Sequence, residues 1–244
     1  MSCKRKDAPR QTVFHETFIT GETMYRTVFY LLAAVLALSL SCSRMKSGKD
    51  VSGDLASWRV AGIGTVRAVP EEKAFRVTEG KDSKGVTIIS PQSYRENVVM
   101  KFKVKPERRE GVCVVILSAA DRNTGGLAPE LNRDGAMAYW TTGSVRDYLF
   151  AFHTAFHQPN IFIQKNPGSA MIAQTPDVAG QEKWYDLEIG RNGARLWMKV
   201  DGKTVVEGTD PDNGGLPGGY CGIRLRGPGD GSYSCLIRDV QISE

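Results

Sequence analysis

Histidine and cysteine are scarce in this sequence, three and five residues in 244, and no apolar run approaches the ~20 residues of a membrane-spanning helix. The cysteines follow no metal-binding spacing, which removes a structural zinc module. An excess of charge of one sign is missing as well. Beyond residue 42 there are 27 Lys and Arg against 24 Asp and Glu, interspersed, with no basic run longer than Arg108-Arg109. Nucleic acid is therefore not an expected partner. Long stretches of helical periodicity are also absent, which removes bundles and α/β architectures.

The longest apolar run, Val28 to Leu40, is 13 residues, the length of a secretory h-region, with Arg26 supplying the positive flank. Met24 just ahead of it is the expected start, with residues 1–23 an upstream extension. Ser39-Leu40-Ser41-Cys42 resembles a bacterial lipoprotein processing site, although its position three before the cysteine is Ser39 rather than an apolar residue. The expectation is lipidation at Cys42 and a membrane anchor at the cell envelope, with plain secretion and an uncleaved anchor as alternatives. Residues 43–53 read as a flexible polar linker and residues 54–244 as one domain. In an oxidising compartment Cys221 and Cys235, flanking a Gly-Pro-Gly turn, are candidates to pair, whereas Cys113 in "GVCVVIL" reads as a buried small hydrophobe.

Alternation dominates that domain. In "VVMKFKV", Val98, Met100, Phe102 and Val104 share one face while Lys101 and Lys103 share the other. Asn192-Gly193 is a two-residue hairpin signal. Folding about it sets Ile189 opposite Leu196, Leu187 opposite Met198 and Tyr185 opposite Val200 on one face, with Glu188 opposite Trp197 and Asp186 opposite Lys199 on the other. Thirteen such segments, at 74–79, 85–89, 97–105, 111–119, 136–141, 147–153, 160–165, 169–174, 184–190, 194–200, 203–207, 219–226 and 233–242, predict an all-β, two-sheet antiparallel sandwich. The polar stretch 120–135 is a long insert of the kind that carries binding.

His153 and His157 sit in "FAFHTAFHQPNIFIQKNPG", residues 150–168. On a helix they would stand ~6 Å apart, as in a metal-binding pair. On the strand that the alternation of Tyr148 to His153 and the presence of Pro159 favour, four residues span about 13 Å, too far for one ion. No metal is expected. His153 is placed at a strand end, His157 in the loop, and Asn160 and Lys165 on or beside the returning strand, near one sheet face.

The order "FKV", "YWTTGSVRDYLFAFH", "KNPG", "KWYDLEIGRNGARLWMKVDGKTV" and "GIRLR…LIRDVQI" resembles the concanavalin A-like lectin/glucanase jelly-roll superfamily. Within it, "FHTAFHQPNIFIQKNPG" with "MIAQ" is similar to the YesU-like (DUF1961) branch found among polysaccharide-utilisation genes, with the 3-keto-disaccharide hydrolase-like (DUF1080) group second. The resemblance implies a carbohydrate partner and a site on the concave sheet. It also implies that Asp239 occupies a position at which related sandwiches hold calcium; one carboxylate falls short of the 6–8 oxygens such an ion takes, so no cofactor is expected.

Glucanases of this superfamily carry E-x-D-x-x-E on a strand, and no Glu here is followed by Asp two positions later. The paired-carboxylate mechanism is thus not expected, and Asp186 opposite Lys199 and Glu188 opposite Trp197 read as a surface ion pair and a packed rim. A lyase needs a base and groups that neutralise a uronate carboxylate; Tyr148, His153, Arg146 and Lys165 have those chemistries, without the R-x-E-L-R or Q-I-H strings. The candidate catalytic set is His153 as acid or base with Arg146 and Lys165 as charge stabilisers. The candidate binding set is Trp140 as a stacking platform with Asp147, Tyr148, His157 and Asn160. Either an enzyme acting on glycan or a non-catalytic glycan-binding module fits this reading.

Overall fold

A computed structural model describes residues 49–50, 52–154, 160–176, 182–212 and 214–244, with backbone alone for 49–50, 52–54 and 153–154. Cys42, the 28–40 run, His157 and the side chain of His153 lie outside the described residues. The strands are β1 Lys49–Asp50, β2 Arg59–Gly62, β3 Gly64–Val69, β4 Ala74–Glu79, β5 Val86–Tyr94, β6 Val98–Pro106, β7 Val112–Asp121, β8 Val145–Thr154, β9 Asn160–Asn166, β10 Ala170–Pro176, β11 Tyr185–Asn192, β12 Arg195–Val200, β13 Lys203–Thr209, β14 Gly219–Arg226 and β15 Ser234–Ser243. They form two sheets, ordered β13-β12-β11-β6-β15-β4-β3, with β1 beside β15, and β10-β9-β8-β7-β14-β5-β2. Every pairing is antiparallel.

The expected sandwich is the observed one. Its core is the set of alternate residues that the period-two pattern places on one face. Met100 and Phe102 of β6, Leu187 and Ile189 of β11 and Met198 of β12 meet Val115 of β7, Phe150 and Phe152 of β8, Ile163 of β9 and Ile223 of β14, all buried. Each such side chain contributes about 1.5–3 kcal/mol on leaving water. β2 and β3 are sheet edges that fall outside the predicted strands; Val60 and Ile63 are exposed, and only Ala61 and Val69 are buried in this stretch. β1 falls inside the stretch read as linker.

The 192–193 hairpin forms with a shifted register. Asn192 pairs with Arg195, Ile189 with Met198 and Leu187 with Val200, so the turn residues are Gly193 and Ala194. Gly193 takes the left-handed φ of +56°, the conformation that glycine accepts without strain. Because the shift is two residues, every side chain keeps its predicted face. Glu188 now pairs with Lys199, yet it still accepts a 3.0 Å hydrogen bond from Trp197 Nε1.

Residues 136–141 are not a strand. Ala138–Thr141 form a helical turn, α1, which brings Met137 and Trp140, three residues apart, onto one apolar cluster. The Thr141 and Thr142 hydroxyls donate to the carbonyls of Met137 (3.2 Å) and Ala138 (2.9 Å).

The 221–235 disulfide is absent. Cys221 and Cys235 are free and buried, as is Cys113, and they belong to opposite sheets. Asp239 is a bulge residue: its φ is +56°, and the β15–β6 register shifts between Arg238 and Gln241. The shift explains how Ile237 and Val240 both enter the core. Its carboxylate faces Lys103 and Arg238 nitrogens, each at 3.7 Å, rather than other oxygens.

Candidate functional site

The outer face of the second sheet carries an apolar layer of its own. Val112, Val114 and Ile116 of β7 with Leu149 and Ala151 of β8 form a cluster that Leu127, Met137 and Trp140 of the 122–144 connection cover in part. Asp121 anchors the start of that connection, accepting hydrogen bonds from the amides of Asn123 (2.8 Å) and Thr124 (3.0 Å) and from the Ser144 hydroxyl. Lys84 fastens its middle, the ammonium 2.8 Å from Asp134 and the amide 2.8 Å from the Asp134 carbonyl.

What the connection leaves open is a cleft of about 710 Å³. Val112, Val114, Leu149 and Phe162 form its floor, and Ala136, Met137 and Thr141 one wall. Strand register builds the floor as rows. Arg224 pairs with Val114, Val114 with Ala151, and Ala151 with Phe162, while Arg226 pairs with Val112 and Leu149 with Gln164. The first row crosses three inter-strand spacings of about 4.8 Å, so Arg224 and Phe162 stand roughly 14 Å apart across the sheet.

At the β14 end, Arg224 is almost wholly buried and donates from Nη2 to the carbonyls of Lys84 (2.7 Å) and Gly135 (3.0 Å), while its Nε has no partner. Burial, with Arg226 beside it, lowers its pKa to about 10. Glycines make room for it: a Cβ on Gly85 would lie 2.5 Å from Nη2, and one on Gly135 only 1.7 Å from the Gly85 carbonyl oxygen. Arg226 donates to the buried Glu79 carboxylate (2.7 Å) and to the Ser83 carbonyl.

At the β9 end, Asn160, Phe162 and Gln164 alternate with the buried Ile161 and Ile163 and so face the cleft. Gln164 donates to Asn166 (2.8 Å), which donates to Asp147 (2.8 Å). Asp147 is fully buried with Oδ2 unpartnered, and burial pushes its pKa up to about 8 even against the hydrogen bond from Asn166.

Of the residues singled out from sequence, Asn160 lines the cleft and Asp147 ends the amide chain leading from it. Trp140 is fully buried in the layer beneath the insert, so its ring offers no stacking face. Tyr148 and Lys165 pair with each other on the opposite side of the sheet. There the Lys165 ammonium lies 2.9 Å from Asp210 and 2.5 Å from Asp212, and the Tyr148 hydroxyl donates to Asp210 while accepting from the Leu216 amide at 2.9 Å. Burial and that bond to Asp210 raise the Tyr148 pKa. Arg146 holds a loop, donating to the carbonyls of Ser118 (3.2 Å), Pro217 (2.9 Å) and Gly218 (3.0 Å).

The expected catalytic trio is therefore not assembled. Lys165 is neutralised by two carboxylates and Arg146 is committed to backbone. Strand parity separates Lys165 from Asn160 as well: the two differ by an odd number and face opposite ways. Among the described residues no carboxylate lines the cleft. Arg224, Arg226, Lys84, Phe162 and Gln164 were missed, although the alternation in "NIFIQKN" and "GIRLR" placed Phe162 with Asn160 and Arg224 with Arg226.

No protein-family model matches the chain, and no curated protein matches it. Solved structures do. A Bacillus subtilis protein of unknown function with a galectin-like fold superposes with a TM-score of 0.70 at 15% identity, over 82% of this chain and 97% of that one. The fold is a jelly roll of the lectin and glucanase type. The CBM66 carbohydrate-binding module from Bacillus subtilis gives a TM-score of 0.53 at 14% identity, covering 78% of this chain and 98% of the module. A Bacillus licheniformis β-glucanase gives 0.50 at 10% identity, covering 76% and 91%.

Proposed function

We propose that the protein binds a glycan chain across the outer face of β14-β7-β8-β9. The observation that carries this reading is the cleft itself: an apolar strip flanked by guanidinium and amide donors, about 710 Å³ in volume, the composition and size of a small-molecule site. Jelly rolls that are carbohydrate-binding modules and glucanases share the fold, which supports the ligand class. Phe162 offers a ring to the C–H face of a sugar, with Asn160 and Gln164 beside it to hydrogen bond hydroxyls. Binding without turnover fits this donor set better than paired-carboxylate hydrolysis, whose two acids the described cleft does not supply.

The test is retention of the purified protein on an array of plant and microbial glycans. Phe162→Ala is expected to weaken the best ligand roughly tenfold without lowering the thermal midpoint by more than a few degrees. Unchanged affinity would move the ligand off this cleft.

The address is part of the same proposal. The 28–42 segment supports export with a lipid on Cys42, and the likeness of residues 152–168 to the YesU-like branch supports a place in polysaccharide utilisation. Cys42→Ser is expected to shift the protein from the membrane to the soluble fraction of expressing bacteria; an unchanged distribution would remove the anchor.

A further inference from the structure

The charges around the cleft do not balance. Lys84, Arg224 and Arg226 line it. Lys84 is matched by Asp134 at 2.8 Å and Arg226 by Glu79 at 2.7 Å. Glu79 is wholly buried and its other oxygen accepts from the Gly227 amide at 2.5 Å, so it is fully engaged. Arg224 makes no ion pair among the described residues and feels the Glu79 carboxylate, already taken by Arg226, only at a distance, although only 2% of Arg224 is exposed. A buried, unpaired guanidinium is costly to the fold, and this one is held in place by two carbonyls and a glycine notch rather than left free to swing into water.

Arg224 and Arg226 are two residues apart on one strand face, about 7 Å, both on the cleft. Guanidinium forks match the paired oxygens of planar carboxylates and of tetrahedral sulfates. We infer that the basic end of the cleft holds an oxyanion carried by the glycan, a uronate carboxylate or a sulfate ester, between Arg224 and Arg226 with Lys84 at its rim. The inference rests on the glycan reading and narrows it to acidic glycans: the neutral part of the chain lies along Val114 and Leu149 toward Phe162, and the anion supplies the counter-charge that Arg224 lacks.

Calorimetric titration of the protein with four probes tests it: an oligogalacturonate, its methyl ester, a sulfated galactan oligomer and the unsulfated oligomer. One acidic probe is expected to bind roughly tenfold tighter than its neutral counterpart, and to weaken as salt rises from about 50 to about 300 mM. Which acid wins identifies the oxyanion. Arg226→Lys keeps a cation for Glu79 but loses the fork, and is expected to abolish most of the acidic preference, read as the ratio of acidic to neutral affinity.

Equal affinity for acid and neutral forms in both pairs overturns the inference and leaves the glycan reading standing. Failure to bind any of the four probes overturns both. An acidic preference that Arg226→Lys leaves intact, in a variant whose thermal midpoint is normal, overturns the assignment of the oxyanion to this end of the cleft.

Discussion

Asp147 shows how burial alone sets the chemistry of a residue. Its carboxyl receives one hydrogen bond from Asn166 and meets no cation, so desolvation prevails and the pKa rises to about 8. The same group in the unfolded chain titrates near about 3.9. Between those values the folded protein holds a proton that the unfolded protein has released. Stability is therefore greatest below the unfolded pKa and falls as pH rises through the folded one, by up to ~1.4 kcal/mol per pH unit. Asp147→Asn is neutral throughout, and its thermal midpoint is expected to decline less than that of the unaltered protein from about pH 5 to about pH 8. Parallel profiles would mean that Asp147 is ionised in the fold. Glu188 shows the opposite outcome from a similar start: burial raises its pKa, but hydrogen bonds from Lys199, Trp197 and Lys101 bring it down to about 2.

At the scale of elements, the 122–144 connection decides where a ligand can go. Without it the outer apolar layer of β7 and β8 would lie open; with it, Trp140 and Met137 cover one part and wall the rest. Its close approach to β5 depends on Gly135, whose φ is +74° and whose Cβ would stand 1.7 Å from a backbone oxygen of Gly85. Gly135→Ala is expected to cost at least ~2 kcal/mol in urea denaturation. Gly125→Ala in the same connection has a similar φ of +72° but open space around it, so it should cost ~1 kcal/mol, the backbone penalty alone. Equal losses would show that the clash at Gly135 is relieved by movement of the connection.

At the scale of the whole molecule, two sheets packed face to face hold the three domain cysteines as free thiols in the dry interior, Cys221 and Cys235 on opposite sheets, and burial pushes the Cys235 thiol up to about 12. The sandwich is thus expected to hold without a disulfide. Peptide mapping after treatment with a thiol reagent should find Cys113, Cys221 and Cys235 unmodified in the native protein and modified in urea. A 221–235 cross-linked peptide under non-reducing digestion would contradict the two-sheet placement.

The all-β class, the strand positions of the core and the face of each residue within its strand were legible because period-two alternation is a local property of the chain. Hence the register of the 185–200 hairpin could slip by two residues without moving a side chain to the wrong side. Alternation says which residues share a face; it does not say which face meets the other sheet and which carries the cleft. Tyr148 and Lys165 had the right chemistry for a site and lie on the inner side, where Asp210 and Asp212 close on them. The cleft's own charges depend on partners far away along the chain: Arg226 with Glu79 is a separation of 147 residues, and Arg224 with Lys84 one of 140. The sequence by itself determined the sheets and their two-faced strands, through local stereochemistry and the burial of apolar side chains. Only the tertiary structure decided which cations are matched, because pairing in this sandwich is made across strands that the chain visits at its opposite ends.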